Sequence, residues 1–169
     1  MAAVPVLTPQ RVSLIIVGLC LGALATALAA EQWGGLLPCV LCIYQRYAYG
    51  AALAFGALGL AVAKQPALHR STVALAGLSF WAGAAIAFFH VGVERKWWRG
   101  TDACHAPSLD PGMSIEEMKE MLLNQTFVPC DEIPWSLLGV SMAGWNFLAM
   151  SVFGALCFWW LGRGRRMNE

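Results

Sequence analysis

Four apolar stretches, at about 12–30, 43–63, 72–93 and 144–161, constrain this chain more than any other feature. A helix rises 1.5 Å per residue, so about 20 residues cover the ~30 Å hydrocarbon core of a bilayer. Of the 169 residues 59% are hydrophobic and only 12% charged, too few to clothe a soluble domain of this length. The chain therefore reads as a single integral membrane domain over 1–169, with outer loops at about 31–42 and 94–143. A net charge of +1 gives no case for nucleic acid as a partner. No second soluble domain, low-complexity tract or internal repeat is evident.

The first stretch also imitates a secretory signal: Arg11, an uncharged run, then Ala27-Leu28-Ala29 ahead of Ala30-Glu31. The run exceeds a signal core of ~7–15 residues, and its removal would leave three spans with the termini on opposite faces. The expectation is an uncleaved anchor. Arg11, Lys64, Arg70, Arg163, Arg165 and Arg166 lie at the termini and the short middle loop, which makes those the inner side. Arg95, Lys96, Arg99 and Lys119 sit in the single long loop opposite. This orientation puts Cys39, Cys42, Cys104 and Cys130 at or beyond the outer face, where disulfides persist. Trp33, Trp97, Trp98 and Trp135 would mark the outer boundary and Trp159 and Trp160 the inner one.

The chemistry is concentrated at Pro38-Cys39-Val40-Leu41-Cys42-Ile43-Tyr44-Gln45-Arg46. A C-x-x-C pair closes a small, labile disulfide of the kind that exchanges. If a helix starts near Cys39, its N-terminal dipole favours thiolate there. Cys42 and Arg46 then stand at i, i+4 on one face. An arginine facing lipid would cost roughly 2.5–3.5 kcal/mol at the bilayer centre, so Arg46 is expected to face protein or a bound polar group. Cys20 and Cys157 fall among small apolar residues within spans and read as inert core. The other four cysteines allow three connectivities, and spacing does not choose among them. A C-x-x-C fused to a membrane helix, with two further cysteines far apart, fits zinc poorly; no metal is expected.

In the long loop, Ser114-Ile115-Glu116-Glu117 after Pro111-Gly112 is a capping box. Ile115, Met118, Met121 and Leu122 share a face, which suggests a short amphipathic helix on the membrane surface. Pro129, Pro134, Asp131 and Glu132 around Cys130 suggest irregular chain. A disulfide closing a loop of this length restrains the unfolded chain by about 3.5 kcal/mol, so a structural staple is a rival use of Cys104 and Cys130.

The run from Pro38 to Arg46 resembles the signature of the DsbB family, bacterial inner-membrane quinone reductases that generate disulfides for a periplasmic oxidase. The resemblance implies an all-α membrane fold: an antiparallel four-helix transmembrane bundle whose long periplasmic loop carries the short amphipathic helix, with both termini cytoplasmic. It implies a DsbA-like thioredoxin-fold partner and a quinone, ubiquinone or menaquinone, drawn from the surrounding lipid. It also implies roles. A partner thiolate opens Cys104–Cys130; Cys130 attacks Cys39 and releases Cys42, which passes two electrons to the quinone. Arg46 would polarise the quinone oxygen. The family has a histidine beside the quinone near the position of His90, which otherwise reads as an interfacial histidine. Two other classes bear on the same features. Trp33-Gly34-Gly35-Leu36-Leu37 is faintly similar to the outer loop of claudin-like four-span adhesion proteins, with structural disulfides. Enzymes of the vitamin K epoxide reductase type share the chemistry but carry C-x-x-C on a later span.

Overall fold

The computed structural model describes residues 7–104 and 128–166, with Ser114, Glu116 and Lys119 between them. Four long helices dominate: α1 Pro9–Gln32, α2 Val40–Ala61, α3 Pro66–Glu94 and α4 Met142–Arg166. Proline opens α1 and α3, where its missing N–H costs nothing and its fixed φ suits a first turn. Three of the four (α1, α3 and Met142–Arg163 of α4) are long and apolar enough to cross a membrane. The second is diluted by Tyr44, Gln45, Arg46, Tyr47 and Tyr49 in its first turns. The chain thus has an all-α membrane fold. The expected amphipathic helix at 114–122 lies largely outside the described residues.

Contacts fix how the helices run. Helix α2 packs between α1 and α3, and α3 packs along α4. The Ser13 hydroxyl meets His69 Nε2 at 3.0 Å, so the starts of α1 and α3 lie together. Arg70 donates to the Leu161 carbonyl at 2.8 Å and Trp160 to that of Leu7 at 3.1 Å, which brings the end of α4 to the same place. One end of the molecule thereby gathers the starts of α1 and α3, with Arg70, and the end of α4, and Cys39, His90, Cys104 and Cys130 gather at the other.

The main core joins Ile16, Tyr49, Val73, Phe80 and Met150 from all four helices. Leu14, Leu21, Leu28, Leu58, Leu78, Leu148 and Leu156 instead point outward, an arrangement that suits lipid rather than water. Against lipid tails burial supplies little, so association rests on close packing and hydrogen bonds. Gly83 marks one such close approach, where a Cβ would press on the Met150 side chain and the Ala48 Cβ. Cys20 and Cys157 are buried in this core, as expected. Changing both to Ala is expected to cost no more than about 2 kcal/mol of stability and to leave thiol exchange intact. Denaturation in detergent and a turnover assay check this pair of outcomes.

At the cysteine end, α3 stops in a Schellman motif: Lys96 N–H bonds the Val93 carbonyl and Trp97 N–H that of Gly92. Lys96 takes the left-handed residue at φ 60°. The chain doubles back, and the Trp98 ring covers Gly92, where any Cβ would clash. Its indole N–H bonds the Phe89 carbonyl at 2.9 Å. A 3-10 turn, Asp102–Cys104, follows. Before α4, strands β1 Ser136–Leu137 and β2 Val140–Ser141 form a hairpin whose turn residues, Leu138 and Gly139, both have positive φ. That is the backbone of a type I′ turn. It delivers Ser141 to the head of α4, where its hydroxyl accepts the Gly144 N–H at 3.1 Å.

Candidate functional site

Cys39 is the N-cap of α2. Its extended backbone turns the sulfur over the helix start, where it accepts the Cys42 N–H at 3.4 Å, as a serine or aspartate cap would. The two sulfurs lie 3.1 Å apart as free thiols, Cys39 buried and Cys42 half-buried. Cys104 and Cys130 are joined as a disulfide, which answers the connectivity left open by spacing. Both are buried in one cluster with Cys39, Leu41 and Val93, and Cys42, Val40, Phe89 and Val128 pack against it. Cys39, Cys42, Cys104 and Cys130 therefore share one small apolar volume.

His90, on α3, reaches into this volume. Its Nε2 lies 3.5 Å from the Cys39 sulfur and 4.0 Å from a Glu94 carboxylate oxygen one turn on. Ser141 donates to the other Glu94 oxygen. On the opposite side of the ring, Nδ1 lies 3.3 Å from Gln45 Nε2, which also donates to the Leu41 carbonyl at 3.1 Å. Asn146 of α4 donates to Gln45 Oε1 and accepts from the Tyr49 hydroxyl at 2.7 Å. Donor atoms of Cys39, Cys42 and His90 all lie within 4.8 Å of one another, close enough to share a soft metal ion.

These neighbours set the acidity of Cys39, which precedes the helix. A hydrogen bond from the Cys42 side chain lowers its thiol to about 4; burial opposes this, and the hydrogen bond and charge of His90 assist. In the reduced protein the Cys39 thiolate then stabilises the fold fully above the ordinary thiol value of about 8.5. That contribution is lost as pH falls toward about 4. Stability of the reduced form, measured by denaturation in detergent, is expected to rise with pH across that window. Cys39→Ser should flatten the rise.

Arg46 faces protein, as its cost in lipid requires. Its Nη1 contacts Glu31 of α1 at 2.6 Å, and Nη2 reaches the Ala27 carbonyl at 3.5 Å. Sequence reasoning singled out Cys39, Cys42, Cys104, Cys130, Arg46 and His90. It did not find Glu31, Gln45, Tyr49, Glu94, Ser141 or Asn146. One signal was available: Glu94 follows His90 by four residues, a pairing spacing on a helix.

Known proteins bear on this site. Residues 9–160 match the family model described as disulfide bond formation protein DsbB. The chain is similar to the disulfide bond formation protein B of Verminephrobacter eiseniae, 34% identical over 94% of this chain and 89% of that protein. Its counterpart in Xanthomonas axonopodis pv. citri is 35% identical over 89% of this chain and 87% of its own. That of Stutzerimonas stutzeri is 32% identical over 83% and 86%. No solved structure matches. A multi-pass membrane chain with four cysteines gathered at one end of its helices, matched over nearly its whole length, belongs to the DsbB family of disulfide bond formation proteins.

Proposed function

We propose that this protein re-oxidises a DsbA-like periplasmic dithiol oxidase of thioredoxin fold and passes the two electrons to a membrane quinone. The observation that carries the reading is the shared cluster: Cys39 and the Cys104–Cys130 disulfide are buried together, with Cys42 packed against them. Exchange between the pairs needs only short movements. A partner thiolate attacks Cys104, the Cys104–Cys130 bond breaks, and the electron pair leaves on Cys130. Cys130 attacks Cys39, the Cys39–Cys42 bond breaks, and the pair leaves on Cys42. The partner's second thiol then displaces Cys104 and leaves oxidised. Cys104 retakes Cys130 from Cys39, and Cys39 and Cys42 remain as the dithiol.

The residues around Cys42 suit a quinone. Arg46 stands one turn below, with its Nη2 making a long contact to the Ala27 carbonyl. Tyr44 and Tyr47 beside it are exposed. An apolar trough of about 440 Å³, lined by Ala25, Leu28, Ala29 and Trp33 among others, opens along the same end of α1. Arg46 would hold a ring oxygen and His90 would flank the site. When bound, the quinone would supply the two-electron sink that returns Cys39 and Cys42 to the disulfide. In this reading α2 is the fourth span of an antiparallel bundle, the termini are cytoplasmic, and the cysteine cluster faces the periplasm.

The test is reconstitution in detergent with a soluble ubiquinone or menaquinone analogue and a reduced thioredoxin-fold dithiol protein, without oxygen. One quinone should be consumed per disulfide formed, and none with Cys42→Ser. Partner oxidation at an equal rate without quinone would sink the reading.

A further inference from the structure

The side chains around His90 form a chain of hydrogen bonds whose sense is fixed from one unambiguous point. The Leu41 carbonyl can only accept, so the Gln45 atom 3.1 Å from it is the amide nitrogen. That nitrogen has a second hydrogen, aimed at His90 Nδ1 at 3.3 Å. The other end of the same amide, Oε1, accepts from Asn146 Nδ2, and Asn146 Oδ1 accepts from Tyr49. Turning the Gln45 amide over would set oxygen against the Leu41 carbonyl and nitrogen against nitrogen at Asn146. Both are repulsive, and Gln45 is buried where water cannot relieve them.

We propose that Gln45 and Asn146 are positioning residues that hold His90 in the tautomer with its proton on Nε2, so that this N–H serves the Cys39 sulfur as it leaves a disulfide. The proposal rests on the reading above for the exchange itself. The far side of the ring agrees with it. Nε2 faces the Cys39 sulfur at 3.5 Å and Glu94 Oε1 at 4.0 Å, both of them acceptors. The opposite tautomer would turn a bare lone pair toward thiolate and carboxylate and an N–H toward an NH2. Glu94 is kept in place by Ser141 at the head of α4, so α2, α3 and α4 all contribute to one ring orientation. The same tautomer disfavours metal. Ligation through Nε2 needs a lone pair there, so the three-donor group with Cys39 and Cys42 is kept free for exchange.

The step it serves is the closing of the loop pair. Cys104 thiolate attacks Cys130 of the Cys39–Cys130 disulfide. The Cys104–Cys130 bond forms, the Cys39–Cys130 bond breaks, and the electron pair goes to the Cys39 sulfur. His90 donates a hydrogen bond to that sulfur without giving up its proton, and nothing is oxidised overall. The products are the bonding pattern found here, with Cys104–Cys130 joined and Cys39 and Cys42 free. A more stable leaving thiolate departs faster.

The measurement is ¹⁵N NMR of histidine-labelled full-length protein in detergent micelles, reduced at Cys39 and Cys42, with His90 assigned from the signal lost in His90→Gln. Above the titration of the ring, where it holds one proton, that proton is expected on Nε2. Gln45→Glu keeps the shape but offers Nδ1 only an acceptor, so the proton should move to Nδ1. Added charge alone would favour a doubly protonated ring and would not exchange the nitrogens. In the same variant the midpoint pH for alkylating Cys39 should rise by about one unit, roughly tenfold in thiolate fraction at a given pH. A wild-type proton on Nδ1 overturns the proposal, and so does a Gln45→Glu ring still protonated on Nε2. If the variant does not fold, the wild-type spectrum decides. No partner or quinone is present, so failure of electron transfer with the tautomer as stated counts against the proposed function alone.

Discussion

Cys130→Ser is expected to abolish turnover and, with a partner lacking its resolving cysteine, to accumulate a covalent adduct on Cys104. Two features favour Cys104 as the point of entry. A cavity of about 430 Å³ bounded by Val93, Lys96, Trp97, Trp98, Arg99 and Gly100 opens onto Cys104, and Asp131 forms part of its wall. Cys130 is fully buried, with its backbone facing His90 across the cluster. The cavity therefore leads an incoming thiolate toward Cys104 rather than Cys130. The exposed Asp131 and Glu132 next to Cys130 make it a poorer leaving group at the first step but a stronger nucleophile at the second, since nucleophilicity rises with thiol pKa. Activity should fall by several orders of magnitude, because the proposed relay passes from the loop to the C-x-x-C through Cys130. Non-reducing gels with peptide mapping read the outcome. An adduct on Cys39 or Cys42 would mean that the partner meets the C-x-x-C directly and that the loop pair is structural.

Much of this arrangement was legible along the chain, and the remainder was not, for definite reasons. Long apolar runs reveal helices because each must satisfy its own backbone in lipid, and the helices found at 9–32, 40–61, 66–94 and 142–166 enclose or overlap all four runs. A helix start near Cys39 was only a condition in the sequence, which placed the span at about 43–63; the structure starts α2 at Val40 with Cys39 as its N-cap. Arg46 had to find a polar partner, but that this would be Glu31 of α1 depends on how two helices meet across a turn. The His90 network is harder still. Gln45 and Tyr49 sit in the polar first turns of α2 and Asn146 on the mostly apolar α4, and only the packing of α2 and α3 with α4 makes them one chain. Ser141 reaches Glu94 because a two-residue turn at Leu138-Gly139 points it there, and no periodic pattern announces that.

The Arg46–Glu31 pair allows the electron-sink end of the proposal to be tested separately from the thiol end. Arg46→Gln removes the charge proposed to hold the quinone oxygen while leaving every cysteine in place. The apparent KM for quinone is expected to rise by about tenfold or more, the equivalent of one charge-assisted hydrogen bond of about 1.5–3 kcal/mol. Exchange between a thiol partner and Cys104–Cys130 should be unchanged. Stability will also respond, since both side chains are about three-quarters buried, at 23% and 24% exposed. That places the pair between a surface bridge and a fully buried one, and leaving Glu31 alone should cost about 1–2 kcal/mol. The two effects separate in the double variant Arg46→Gln with Glu31→Gln. With neither charge left unpaired, stability should recover most of its loss, while the KM for quinone stays high. If KM recovered together with stability, Arg46 would be a structural partner of Glu31 and would have no part in holding quinone.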